Sequence, residues 1–406
     1  MSLAESFEIL KSNSLALKST QNQTEINDLE LAKAKAQRYL NLNLTSTHGY
    51  QNFAPKADTD PDAPWVSRFS IDATQKIYDF GLSDQTIKIA NQVAQTNSKQ
   101  IQKTLLDTGH KLAKLFLDFT IAKAMQNIKK IQAEIITKQF SQIDESFAQG
   151  LKTRTDFLRS KANLQRTSND LVQNQAQIDD AAEKILNAIK SQEKNTDFRE
   201  LELKKYAATS FSNVALQKNP NLLLAEDEIK IADSNLILTR KQNGPELNLK
   251  ATAGYGSSDY MGTGQRIIDN DRVTWGGLLE FNVPIWDGRL TLTTIEIAAK
   301  NLQAKVIARD QIKDDLNAEL KLSLKQYKFN QNNFKIAQDL TQIETENYTF
   351  AETEYLGGRV GLFYLNDSLR TLIDARVAEI QALADCARAY FAIKYLNGDL
   401  IDEITH

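Results

Sequence analysis

Shifted against itself by 207 or 208 positions, this 406-residue chain meets its own pattern from one end nearly to the other. Residues 13–17 (NSLAL) fall on 220–224 (PNLLL), and the alternating stretch 40–50 (LNLNLTSTHGY) falls on 247–257 (LNLKATAGYGS). Ile77-Tyr78-Asp79 falls on Ile285-Trp286-Asp287, and Gly150 on Gly358. An offset that drifts by one residue across so many landmarks means two copies of one structural unit. Any fold for the chain is therefore a pairing of like halves, read as residues 1–198 and 219–406 with 199–218 as a linker.

Within each half the local patterns come in the same order. The spacing predicts a first helix from about Leu3 to Arg38 and, in the second copy, from about Asn221 to Lys241, opened by the cap and first-turn residues Asn219-Pro220. The period then becomes two. Leu40, Leu42 and Leu44 alternate with Asn41, Asn43 and Thr45, and Leu247, Leu249, Ala251 and Ala253 with Asn248, Lys250 and Thr252. A second alternating run follows in each copy (Phe69, Ile71, Ala73; Trp275, Leu279, Phe281), so each half holds a β-hairpin, at about 40–78 and 246–286.

With 6 prolines and 16 glycines in the whole chain, little interrupts what comes next. A helix is expected from Asp84 to Ala148, roughly 100 Å long at 1.5 Å per residue. Gly150 ends it, and the return helix places Phe157, Leu164, Leu171, Ile178 and Ile185 seven apart, the mark of an antiparallel coiled-coil hairpin over about 84–190. The second copy does the same over about 290–396: a helix from Leu290 to Tyr355, a turn at Gly357-Gly358, and a return from Leu362 to Leu396. The fold class is mainly α with β.

The chemistry is sparse. Net charge is −3, which offers no field to a nucleic-acid backbone. Cys386 alone excludes an internal disulfide or a cysteine-based metal cluster and reads as a small buried side chain; His48, His110 and His406 lack a second ligand at helical spacing. The glycine-rich stretch 254–264 lies between two strands, with no helix N-terminus to hold a phosphate, and reads as a hairpin loop. Asp179-Asp180 and Asp314-Asp315 read as solvated helix faces. No catalytic, cofactor-binding or metal residue is assigned.

The strands carry more. Two isolated hairpins of about ten residues per strand are barely stable in water. With one apolar and one polar face they have the length and pattern to cross a bilayer, once enough are collected to leave no edge. Four strands cannot close a barrel, so the chain must oligomerise; three copies supply twelve strands. No apolar run is long enough for a transmembrane helix, and no basic leader with an apolar stretch opens the chain, which fits either a cytosolic protein or a mature exported one.

At this point the residues resemble the TolC-like outer-membrane channel proteins, over nearly all of the chain. The likeness rests on the duplicated plan, on QKIYDFG and VPIWDGR at the strand exits, and on the tip turns QGLKTRTDFLRSKANL and GGRVGLFYLNDSLRTLIDA. The resemblance implies a homotrimer with a twelve-stranded outer-membrane β-barrel continued by a periplasmic α-helical barrel, its signal peptide removed. It implies docking on an inner-membrane transporter, ABC or proton-driven, through a periplasmic adaptor. Carried over by position, Asp156, Tyr355 and Arg359 would form a network at the tips, with Gly150, Gly357 and Gly358 as tip turns. Asp367 and Tyr364 would form the periplasmic gate, Tyr364 standing where the family has a second acidic residue, and Tyr78 and Trp286 would sit at the membrane interface against outer-membrane lipid.

Protein export by a type I system is the favoured cargo reading, because the chain lacks the lipid-anchor cysteine and long extra segment common in drug-efflux members; small-molecule efflux is the alternative. A cytosolic coiled-coil scaffold would explain the heptads but not the duplicated strands. A periplasmic adaptor would carry one helical hairpin, not two whole-chain copies, and an enzyme has no residues to support it.

Overall fold

The computed structural model describes residues 1–50, 65–191, 197–211, 215–256 and 273–405. The loop 54–64, most of the glycine-rich stretch 254–264 and His406 lie outside the described residues. Elements follow in the order α1 (Leu3–Asn13), α2 (Leu15–Ala36), β1 (Asn41–Tyr50), β2 (Trp65–Tyr78), α3 (Leu82–Gln95), α4 (Asn97–Ala148), α5 (Arg154–Ile189) and α6 (Leu203–Ala207). A 3-10 turn (Leu216–Lys218) leads to α7 (Pro220–Lys241), β3 (Glu246–Gly256), β4 (Val273–Asn282), α8 (Leu290–Leu356), α9 (Leu362–Asn397) and α10 (Leu400–Thr405). The chain divides into two compact units, one of Met1–Asn22, Ser98–Leu224 and Arg309–His406, the other of Gln23–Asn97 and Ala225–Ala308.

Two helices expected as continuous are broken. The first ends at Asn13, where Ser14 takes an extended ψ of 119° and its hydroxyl turns to the Leu17 amide, closing α1 and capping α2 at once. The long helix from Asp84 is interrupted at Thr96, whose hydroxyl bonds the Val93 carbonyl at 2.7 Å while Asn97 reaches across to the Thr24 carbonyl and Asn27. Side chains that bond nearby backbone compete with the helical ladder, so both breaks occur without proline or glycine.

The second unit carries one antiparallel sheet in the order β1-β2-β3-β4. Its register sets Leu44 against Ile71, Ile71 against Ala253, and Ala253 against Trp275, so the apolar residues of both hairpins share one face. That face is open: Leu42 is 62%, Ile71 54%, Trp275 82% and Phe281 63% exposed. The opposite face is polar and internally bonded, with Asp72 accepting from Thr252 at 2.7 Å and Ser70 at 3.0 Å, and Lys250 paired to Glu280 at 2.7 Å. A β-bulge falls between Lys76 and Tyr78. β1 and β4 are left as edges.

The first unit holds the main core. Phe7, Leu112, Phe116, Ile185, Ile189, Phe391 and Ile393 are fully buried there, each apolar side chain contributing about 1.5–3 kcal/mol. Gly109, the lone glycine of α4, lies under Phe7; a Cβ there would stand 3.0 Å from the ring. Segment 199–218 adds Leu203, Tyr206 and Leu216 to the core. The Tyr327 hydroxyl stands 2.5 Å from the Tyr206 carbonyl and 2.8 Å from that of Thr209, and Gln331 donates to Ala207 and Thr209.

His110 stacks on Tyr395, ring centroids 4.5 Å apart, and Tyr395 donates to Asp107. Burial, then the nearby Lys114 charge, lowers the His110 pKa from 6.5 to about 4 against the opposing pull of Asp107. The unfolded chain takes up a proton at a pH where the folded one does not, so stability falls as pH drops from about 6.5 towards about 4. We expect His110→Phe to flatten this slope; unfolding followed by circular dichroism across that range checks it.

Candidate functional site at the strand exits and hairpin tips

The repeated Ile-aromatic-Asp marks a joint built twice in the second unit. At the first, the Leu82 amide bonds the Asp79 carbonyl at 3.0 Å, and the two residues between them, Phe80 (φ 52°) and Gly81 (φ 83°), are both left-handed. At the second, the Leu290 amide reaches the Asp287 carbonyl at 3.3 Å, and Gly288 (φ 65°) and Arg289 (φ 73°) are left-handed in turn. Positive φ at both central positions makes each joint a type I′-like turn between strand and helix.

The aspartate side chain then fastens the turn to the helix. Asp79 accepts the Ser83 amide at 2.9 Å and the Ser83 hydroxyl; Asp287 accepts the Thr291 amide at 2.8 Å and the Thr291 hydroxyl. Ser83 and Thr291 were not singled out in the sequence, although a hydroxyl side chain, serine in one copy and threonine in the other, stands four residues after each aspartate. Tyr78 is 55% exposed with its ring edge to Phe80, and Trp286 is 87% exposed.

At the tips of the first unit, Gly150 (φ 74°) and Gly358 (φ 71°) occupy left-handed turn positions, and Gly357 stands beside Gly358 without needing one. Asp156 is engaged locally: it accepts the Thr153 hydroxyl at 2.8 Å while its amide donates to Thr153 across the start of α5. Arg359 bonds through its backbone amide to Glu354. Among the described residues no hydrogen bond or ion pair joins Asp156, Tyr355 and Arg359 to one another. The partner of Tyr355 is Lys152, whose ammonium lies 5.1 Å over the ring, and Lys138 approaches Glu352 at 4.0 Å. Both contacts tie the first hairpin to the second.

Behind the tips, Ile128 and Ile136 of α4 bury against Tyr348 and Ala351 of α8 and Leu365, Leu369 and Leu372 of α9. Asp367 and Tyr364 lie on the first turns of α9, Tyr364 48% exposed. Asp367 accepts from Arg370 one turn on at 2.8 Å, and Arg370 reaches Asp374 at 4.0 Å, a partner the sequence reading passed over despite its helical spacing.

Residues 8–189 and 211–399 match the outer membrane efflux protein family. The chain belongs to that family. No curated protein matches its sequence. Among solved structures it is similar to the Campylobacter jejuni CmeC outer membrane channel, at 14% identity and a TM-score of 0.82, over 98% of this chain and 85% of that one. The outer membrane protein VceC from Vibrio cholerae is 15% identical with a TM-score of 0.80, over 98% of this chain and 96% of that one. The open state of the Neisseria gonorrhoeae MtrE outer membrane channel gives 15% and 0.78, over 100% and 90%. At such identities the likeness carries the fold alone: the efflux-family plan of two repeated helix, hairpin and coiled-coil units. Among the described residues no helix is long and apolar enough to cross a membrane.

Proposed function

We propose that three copies of this chain join their four-stranded sheets into one twelve-stranded outer-membrane barrel and serve as the exit conduit of a three-part exporter. A periplasmic adaptor and an inner-membrane transporter, ABC or proton-driven, would complete it. The observation that carries the reading is the sheet itself: an apolar face open to the surroundings, a polar face bonded across strands, and two unpaired edges. Neither the face nor the edges are tolerable in water, and both are satisfied when copies close a ring in lipid. The exposed Tyr78 and Trp286 would lie at the membrane boundary. The reading gives the chain no catalytic step. Mass measurement of the protein extracted from membranes, with conductance in planar bilayers, tests it; a monomer soluble without detergent would sink it.

In the same reading Asp367 and Tyr364 constrict the periplasmic end, with Asp156, Tyr355 and Arg359 holding the tips together. The Arg370 partner sharpens the expectation for Asp367→Asn. Removing the carboxylate leaves Arg370 facing the pore with only the more distant Asp374, so cation preference should fall towards or past neutrality. Reversal potentials in asymmetric salt measure this, and unchanged selectivity would remove Asp367 from the gate.

The family's description as efflux proteins favours small-molecule efflux as cargo. Type I protein secretion would use the same conduit and is the second reading. Recovery of the inner-membrane transporter by pull-down separates them.

A further inference from the structure

Asn-Gly occurs twice in the chain, at Asn243-Gly244 and Asn397-Gly398. It is the pair most open to reaction between a side chain and its own backbone, because glycine puts no Cβ in the way of its amide nitrogen. That nitrogen, once deprotonated, attacks the asparagine Cγ; the Cγ–Nδ2 bond breaks, ammonia leaves, and a succinimide ring closes. Water then opens the ring at either carbonyl. The products are aspartate or isoaspartate, and the net change is water taken up and ammonia released.

The two pairs stand in different surroundings. Asn397 is the last residue of α9 and half-buried, its carboxamide donating to Asp399. The Gly398 amide bonds the carbonyls of Lys394 and Tyr395, and the Lys218 carbonyl oxygen stands 2.8 Å from where a Cβ would be. Turning the main chain to close a ring there would drive it into Lys218. Asn243, by contrast, is exposed and lies beyond the end of α7 at Lys241. The Gly244 amide bonds the Lys241 carbonyl at 2.9 Å, within the same turn. A turn closed by a local bond on an exposed segment opens more readily than a packed helix end.

What the Asn243 carboxamide does gives its loss a consequence. It donates to Asp287 Oδ2 at 3.3 Å, the same oxygen that accepts the Thr291 amide and hydroxyl at the second joint. Aspartate at 243 removes that donor and sets a second carboxylate against Asp287. Isoaspartate also lengthens the main chain by one carbon just before β3. The first copy has no such pair: the repeat offset of 207 places Ala36-Gln37 at this point, and the next residue, Arg38, ties to Asp84 of α3 at 2.6 Å.

We propose that Asn243-Gly244 is a site of spontaneous deamidation, and that its conversion loosens the second joint while the first stays as it was made. Neither the reaction nor its effect on Asp287 requires copies of the chain to close a ring.

Trypsin releases the two pairs separately, in peptides 242–250 and 395–406. The full-length protein in detergent is held in warm, mildly alkaline buffer, sampled over days, digested and read by mass spectrometry. Conversion from amide to acid is expected at Asn243, part of it as isoaspartate, with Asn397 several-fold slower; in urea the two should convert at similar rates. No conversion at Asn243, or equal rates in the folded protein, would overturn the site. Asn397 remaining slower in urea would overturn the account of its protection by the fold. For the joint, Asn243→Asp is compared with Asn243→Ala by hydrogen exchange of the peptide that carries Thr291. Several-fold faster exchange in the aspartate variant is expected, and equal exchange would overturn the loosening of the joint.

Discussion

Gly398→Ala is expected to destabilise the helical unit by on the order of 3 kcal/mol, the largest effect of any glycine-to-alanine change among the described residues. Gly398 closes α9 at φ 84°, with its amide on Tyr395 and the Asp399 amide on Lys394, a left-handed helix cap. A Cβ there would also stand 2.8 Å from the Lys218 carbonyl oxygen, a backbone atom that cannot turn aside. Lys218 is held in turn because Asn219, fully buried, donates to the Leu396 carbonyl at 2.8 Å and accepts the Asn221 amide at 2.9 Å at the head of α7. One methyl thus strains the end of one helix and the start of another. Gly357→Ala is the control: its nearest neighbours would lie at 3.5 and 3.6 Å and its φ needs no glycine. Urea unfolding followed by circular dichroism compares them, and equal losses would refute this account of the junction.

Asp79→Ala is expected to cost about 2–3 kcal/mol, more than the same change at Asp287. Asp79 is 7% exposed, and its loss would leave a Ser83 amide and hydroxyl without their acceptor in a closed turn. Burial pushes the Asp79 carboxyl up, but the Ser83 hydroxyl and amide, with Lys76 nearby, together hold it below its ordinary 3.8. The sign follows. A carboxylate with a depressed folded pKa contributes stability that is present above 3.8 and lost as pH falls through the lower folded value. At neutral pH the full contribution is available to lose. Asp287 makes the same bonds to Thr291 from a more exposed position, where water replaces a missing acceptor. Thermal unfolding of the two single variants and of Ser83→Ala in detergent distinguishes them; Asp287→Ala losing as much as Asp79→Ala would show that burial does not set the difference.

The joints show what could be read in the letters and what could not. Asp79 and Asp287 were visible because they recur 208 positions apart, and glycine near each announced a turn. That both central residues are left-handed was hidden, because glycine takes the second place in Phe80-Gly81 and the first in Gly288-Arg289. Strand faces were legible throughout, since period two leaves no choice once Leu42 and Ile71 face the same way. The breaks at Ser14 and Thr96 were not, because each depends on a hydroxyl choosing a neighbouring backbone group over solvent. At the tips the glycine turns were plain in the sequence. The contact of Tyr355 with Lys152 was not, since residues 203 positions apart meet only through the packing of α4 on α8 and α9.

The chain's one thiol, Cys386, lies fully buried in α9 among the core residues, and burial, then the Asp385 charge, raises its pKa to about 11. In an oxidising compartment a thiol is a hazard while a polypeptide is unfolded and open to its neighbours. Here a mispaired bridge can form only between two molecules, and closing the core removes that risk, because the protonated sulfur is then out of reach of any oxidant. The helical packing serves as the cysteine's protecting group.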